Sequence, residues 1–243
     1  MYGTTGRIGL AILDSDLTIE PDLRRQLPEG VEIHAARVRY PHSVSAENMR
    51  QAVAGLDDAI ASLLPVRPAA VIWACTSGSF YDGRAGNQAL RATLAARARG
   101  VPTDTASGSV IEALRALGLR RPAVGTPYGP EINARLDVFL AEHGFAAHPT
   151  VGYHADVVDD YALQDVSEDD MERFILGLDR PDCDGILVSC TGLPSAGFVA
   201  VLERRLGKPV VTSNQAILWN ALRLGRIAAR PDDGARLFAV TEA

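Results

Sequence analysis

Short apolar runs alternate along this chain with longer stretches in which apolar residues recur every three to four positions. The runs are Ile8–Leu13, Val31–Val38, Ala69–Ala74, Pro102–Thr105, Ala123–Thr126, Thr150–Tyr153, Gly185–Ser189 and Pro209–Thr212. Continuous rather than alternating apolarity predicts strands covered on both faces, as in parallel sheets. Helical periodicity falls between them, at Ser45–Leu64, Gly86–Arg99, Ser109–Leu117, Glu131–Glu142, Glu168–Leu178, Ala196–Leu206 and Ala216–Leu224. Several of these segments close at a glycine (Gly100, Gly118, Gly144, Gly207), where a left-handed cap costs a residue without Cβ least. Strand and helix in alternation predict an α/β protein with parallel sheets. The acidic stretch Asp156–Asp170 reads as a solvated face, with a mobile flap as the alternative.

The pattern repeats. Ala69–Gly78 and Cys183–Gly192 are each an apolar run delivering Cys-Thr and then a glycine. Downstream, Gly100-Val101-Pro102, Thr105 and Leu117-Gly118 return as Gly207-Lys208-Pro209, Thr212 and Leu224-Gly225, all 107 residues later. The two cysteines, Cys75 and Cys190, are 115 apart. The first half therefore carries eight extra residues between its Cys and its Pro, assigned to Phe80–Asn87. A repeat of this size predicts two similar α/β lobes and not a solenoid.

Composition narrows the class. The 243 residues hold 24 Lys+Arg against 30 Asp+Glu, a net charge of −6. That balance, without a basic block, argues against nucleic acid or an anionic membrane as partner. No run approaches the roughly 18 apolar residues of a membrane span. The opening Met1–Arg7 lacks the apolar core of a signal peptide, so a reducing cytoplasm is the expected address. No interface is readable from one chain, which leaves a homo-oligomer open.

The cysteines carry the chemistry. In parallel α/β folds ligands sit outside the carboxyl ends of the strands, where Cys75 and Cys190 both fall. With the lobes related by a pseudo-twofold, the thiols face each other across the cleft. Thr76-Ser77-Gly78 and Thr191-Gly192 then expose backbone N–H groups at a helix start, a cradle for a carboxylate and a field that favours thiolate. A single free Cys at a strand end is more often a core residue, but two at repeat-related positions point to a site. Cys183 has no such counterpart and reads as incidental. His34, His42, His143, His148 and His154 show no zinc spacing, so no metal is expected. Phosphate-loop, dinucleotide and Gly-x-Ser-x-Gly patterns are absent. Trp73 and Trp219 read as packing.

Four blocks in order carry a resemblance: Cys75–Tyr81, Ala113–Gly118, Tyr128 with Glu131–Leu136, and Asp184–Cys190. With them the chain resembles the aspartate/glutamate racemase superfamily, in the branch of arylmalonate decarboxylase and maleate cis-trans isomerase. The resemblance implies two four-stranded parallel sheets flanked by helices, with a cofactor-free site between lobes placed at 1–108 plus 217–243 and at 109–216. By motif position Thr76, Ser77, Tyr128 and the backbone at Thr191 and Gly192 match groups that bind the substrate carboxylate. Cys190 matches the cysteine shared by decarboxylase and isomerases, whereas Cys75 stands where the decarboxylase typically has glycine and isomerases keep a second thiol. Maleate isomerases resemble Pro-Ser-Ser-Asn-Thr near the first strand; here Leu13–Glu20 places Ser15 and Asp16 there instead. Asp16 repels a second carboxylate unless protonated. The Asp-x-Thr-Ile-Glu pattern is closer to ectoine-utilisation proteins, whose substrates offer an ammonium or amide, and a helix N-cap is the equal alternative for Asp16.

The expectation is a cofactor-independent isomerase of a small carboxylic acid, of racemase or cis-trans type. Cys75 is assigned as nucleophile or base and Cys190 as the opposing acid. The alternatives are a decarboxylase using Cys190 alone and a non-catalytic binder of small acids.

Overall fold

In the computed structural model, which describes residues 2–42, 45–153, 160–232 and 234–240, all eight apolar runs become strands. They are β1 (Gly6–Leu13), β2 (Val31–Val38), β3 (Ala70–Trp73), β4 (Thr103–Thr105), β5 (Pro122–Thr126), β6 (Val151–Gly152), β7 (Gly185–Val188) and β8 (Val210–Thr212). Every pairing is parallel, and two four-stranded sheets form with the orders β2-β1-β3-β4 and β6-β5-β7-β8. Each strand of the second sheet thus occupies the place of the strand four earlier. The central strands β3 and β7 are wholly buried, which is why they lack any polar alternation.

Parallel neighbours need crossovers, and helices supply them. In chain order these are α1 (Ile19–Arg24), α2 (Ala46–Ala54), α3 (Leu56–Leu63), α4 (Thr76–Phe80), α5 (Gly83–Arg97), α6 (Ala106–Ala116), α7 (Pro130–Glu142), α8 (Glu168–Gly177), α9 (Val199–Leu206), α10 (Ser213–Leu224) and α11 (Arg236–Ala239). The glycines after α5, α6, α7 and α9 all have positive φ. The expected single helix over Ser45–Leu64 is instead two, because Gly55 closes α2 and opens α3. A Cβ there would lie 3.0 Å from Val38 of β2, so the chain passes that strand closely at this glycine. Helices α1, α4 and α11 are one to two turns long and show no period of their own. Helix α9 starts at Val199, three residues later than expected.

The repeat is reproduced in atomic detail. Thr105 and Thr212, 107 residues apart, cap α6 and α10 with the same bond: Thr105 Oγ1 accepts from Gly108 N at 2.9 Å and Thr212 Oγ1 from Gln215 N at 3.2 Å. These two helices pack on each other at the lobe junction. There the buried Asn220 amide donates to Ser109 Oγ and Asp104 Oδ2. Helix α10 runs unbroken through residues 216 and 217 and packs against both β3 and β8. The eight extra residues of the first half are spent on α4 and on an α5 of 15 residues, where the second half has only α9, of eight. Phe80, from the first lobe, packs its ring 6.1 Å from Tyr128 and 6.2 Å from Phe139, both of the second. The apolar core is therefore continuous across the junction.

His154 and residues 156–159 of the acidic stretch lie outside the described residues. Its remainder forms a short 3-10 turn, Asp160–Asp165, and the first turn of α8, capped by Ser167. No helix among the described residues is long and apolar enough to cross a membrane.

Candidate active site

Chain leaving the carboxyl ends of four strands, two from each sheet, meets at one cavity of about 50 Å³. Strand β1 delivers Ser15 and Asp16, β3 delivers Cys75, Thr76 and Ser77, β5 delivers Tyr128, and β7 delivers Cys190, Thr191 and Gly192. All nine residues singled out from the sequence line it. Cys183 does not; it is buried before β7, its thiol 3.5 Å from Lys208 Nζ. Both tryptophans are packed, as expected.

Cys75 ends its strand in extended conformation and caps α4, its sulfur accepting from Gly78 N at 3.3 Å. The approach is so close that a Cβ on Gly78 would sit 2.9 Å from that sulfur. Ser77 Oγ lies 3.9 Å from the sulfur. Behind it, the Thr76 carbonyl accepts from Ser79 Oγ at 2.9 Å and Ser107 Oγ at 3.0 Å. Cys190 likewise accepts from a backbone N–H two residues on, Gly192 N at 3.3 Å. Here the structure corrects an expectation: Thr191 and Gly192 enter a turn that runs to Phe198, and no helix starts at them. An N–H aimed at sulfur favours negative charge there in either setting.

Tyr128 joins the two sides. Its hydroxyl is hydrogen-bonded to Cys190 and Ser77 and also feels Cys75. Burial first, then both sulfurs, push its pKa well above the ordinary tyrosine value, so it stays a proton-bearing donor. Its backbone is fixed by Asn133, whose amide donates to the Tyr128 carbonyl at 2.8 Å, while Tyr128 N donates to Thr126 Oγ1 at 3.0 Å.

Asp16 lines the cavity and also holds the approach to a helix, although the N-cap of α1 is Thr18 and not Asp16. Its Oδ1 accepts from Thr18 N and Ile19 N, both at 3.0 Å, at the entry to α1. Thr191 hydrogen-bonds to the same carboxyl from the opposite lobe. Burial raises the Asp16 pKa against these bonds and against the nearby Arg37.

The remaining wall was not read from the sequence. Leu13, Leu17, Thr18, Tyr40 and Leu163 complete the lining. Leu13 and Tyr40 follow the same strand-end rule as the cysteines; Leu17 and Leu163 carry no signal beyond being apolar. Among the described residues no group of three or more His, Cys, Asp or Glu is placed to hold a metal ion.

Fold and site together define a two-lobed α/β protein in which each lobe brings one cysteine to a shared cavity. The chain belongs to the arylmalonate decarboxylase family, whose model matches residues 27–238. It is 44% identical over 172 residues to arylmalonate decarboxylase of Bordetella bronchiseptica, covering 67% of this chain and 68% of that one. It is 25% identical over 226 residues to a maleate isomerase of Nocardia farcinica, covering 89% of each. Among solved structures it resembles a liganded arylmalonate decarboxylase variant carrying a Gly-to-Cys and a Cys-to-Ser change. That match has TM-score 0.87 and 32% identity, over 97% of this chain and all of that one. A cysteine-to-serine variant of the Nocardia isomerase, holding a covalently bound succinylcysteine intermediate, shares the fold at TM-score 0.88 and 22% identity, over 98% and 99%. The family is enzymatic, and its members named here are decarboxylases and isomerases.

Proposed function

We propose that this protein is a cofactor-independent isomerase that moves a proton at the carbon next to a carboxylate, with one thiol serving each face. The observation that carries this reading is the second sulfur: Cys75 lines the same cavity as Cys190, and Tyr128 reaches toward both. In one turnover the Cys75 thiolate takes the α-proton, leaving an enediolate. Hydrogen bonds from Thr76, Ser77, Tyr128 and the Thr191–Gly192 backbone hold its charge. The Cys190 thiol then donates its proton to the opposite face, ending as thiolate and ready for the reverse reaction.

A cis-trans reading, in which one thiolate adds to a double bond of a dicarboxylate, needs a donor for the second carboxylate. Asp16 stands at that wall and, when ionised, repels it, which favours a monocarboxylic acid. A cavity of about 50 Å³, where one water takes roughly 10–15 Å³, suits a short acid with an apolar substituent against Leu13, Leu17 and Leu163.

The similarity to a decarboxylase supports a second reading, in which Cys190 alone protonates the carbanion left by CO₂ loss. Incubation of short α-substituted acids in D₂O, read by NMR, and of an aryl-substituted malonate, read by CO₂ release, separates the two. The isomerase reading expects α-deuteration of both enantiomers and little CO₂. Cys75→Ser and Cys190→Ser are each expected to lower racemisation about 10²–10⁴-fold. CO₂ release that survives Cys75→Ser and is lost in Cys190→Ser overturns it in favour of decarboxylation. Unchanged acid binding without turnover in either variant indicates a binder.

A further inference from the structure

We propose that Asp22, on α1 of the first lobe, is a positioning residue for the Cys190 side of the site in the second; for catalysis this rests on the two-thiol reading above. Asp22 is 4% exposed and meets four donors. Its Oδ1 accepts from Ser195 N at 2.8 Å and Ala196 N at 2.7 Å; its Oδ2 accepts from Ser195 Oγ at 2.6 Å and Asn214 Nδ2 at 2.8 Å. Three of these come from the turn that follows Cys190. The Asn214 amide also donates to the carbonyls of Thr191 and Leu193, at 3.2 and 3.3 Å.

Two further ties run from the same short helix. Thr191 bonds to Asp16 at its entry, and Arg25 at its end packs over Gly197, where a Cβ would lie 2.8 Å from the guanidinium. The turn has no helix of its own to hold it, since α9 begins only at Val199. Asp22 is thus the anchor that fixes the reach of Gly192 N to Cys190 Sγ and of Thr191 to the cavity. It touches neither cavity nor sulfur, so its effect is transmitted through the turn. A buried carboxyl meeting four donors is costly to replace, because any substitute leaves several of them unpaired.

The test uses the intact chain with Asp22→Asn and the milder Ser195→Ala, which removes one hydroxyl and leaves three of the four bonds. Iodoacetamide labelling of all three cysteines is followed by peptide mass spectrometry. Cys183, buried and remote from the cavity, reports global opening. Loosening of the turn is expected to speed Cys190 labelling about tenfold or more relative to Cys75 and Cys183 in Asp22→Asn, and by a smaller factor in Ser195→Ala. For an acid that the wild type deuterates, exchange from the Cys190 face is expected to fall about a hundredfold, with the Cys75 face retained. Equal acceleration at all three cysteines, or none at any, overturns the proposal. If the wild type exchanges no acid, the isomerase reading fails while the labelling ratio still decides the role of Asp22.

Discussion

The two cysteine segments share one pattern, an apolar strand followed by Cys-Thr and a glycine, and are supported in different ways. After Cys75 the chain coils at once into α4, and the Thr76 carbonyl is held from within the first 108 residues, by Ser79 and Ser107. After Cys190 the chain stays irregular for eight residues and is held by α1 from the other lobe and by the start of α10. Ser107 and Asn214 are 107 residues apart and do the same thing, each donating to the carbonyl of the threonine after the cysteine. The symmetry of the repeat is kept in an N–H aimed at each sulfur and in the donor to each threonine carbonyl, and given up in the backbone between them and in what else holds it. One thiol is therefore followed by a helix whose first carbonyl is held from its own lobe. The other depends on the packing of the two lobes, which couples their arrangement to the chemistry.

That contrast is broken most severely by removing the two equivalent donors. Asn214→Ala takes bonds from Asp22, Thr191 and Leu193 at once and leaves a hole at a fully buried position. It is expected to cost about 2–4 kcal/mol. Ser107→Ala removes one hydroxyl whose role Ser79 shares, and is expected to cost about 1–1.5 kcal/mol. Urea denaturation of both variants decides the point. Equal losses would mean that the second loop needs no more support than the first.

Asp16 sharpens the comparison from the cavity side, as the only one of α1's ties that meets the substrate wall. Asp16→Asn keeps an acceptor for Thr18 N and Ile19 N and abolishes the charge. It is expected to tighten binding of a short dicarboxylate about tenfold, or about 1.4 kcal/mol, measured by calorimetry. Stability follows from the sign of the shift. Because burial raises the Asp16 pKa, ionisation costs more in the folded chain than in the unfolded one. That penalty is absent in acid, grows as pH rises above the usual aspartate range, and is complete above the folded pKa. The Asn variant is therefore expected to gain relative to wild type as pH rises toward neutrality, read as urea midpoints at several pH values.

These contrasts also mark what a linear reading captures. Strands buried on both faces announce themselves as unbroken apolar runs, and a repeat plus the strand-end rule was enough to bring Cys75, Cys190 and their neighbours to one place. The supports were not legible. Helices α1 and α4 are too short to show a period and owe their place to packing against elements distant in sequence, α1 on α10 and α4 on α6 and α7. Asp22 reads as one more acidic residue in a polar stretch; its partners Ser195 and Asn214 are 173 and 192 residues away, and no local pattern encodes a contact at that range. Leu163 lay in a stretch whose acidity suggested solvent, yet one apolar side chain of it turns inward to the cavity.

The smallest expected effect tests how far the insertion in the first half has rewired the repeat. Thr105 and Thr212 make the same cap, and Thr212→Ala is expected to cost about 1 kcal/mol, the ordinary value for losing such a bond. Thr105 Oγ1 does one thing more: it accepts from Asn87 Nδ2 at 2.8 Å, and Asn87 is 3% exposed. Asn87 ends the inserted stretch, and its amide donates also to the Ser79 carbonyl, tying α5 to α4, the helix that Cys75 caps. Thr105→Ala therefore leaves a buried amide hydrogen without its acceptor and is expected to cost about 2 kcal/mol, about 1 more than its counterpart. Thr105→Ser restores the oxygen and is expected to recover most of that loss. In an Asn87→Ala background the extra cost has no source, so Thr105→Ala should fall to the value for Thr212→Ala. A double-mutant cycle that returned no coupling between positions 87 and 105 would show that the inserted residues add length without adding support, and that the two thiols differ only in what holds Cys190.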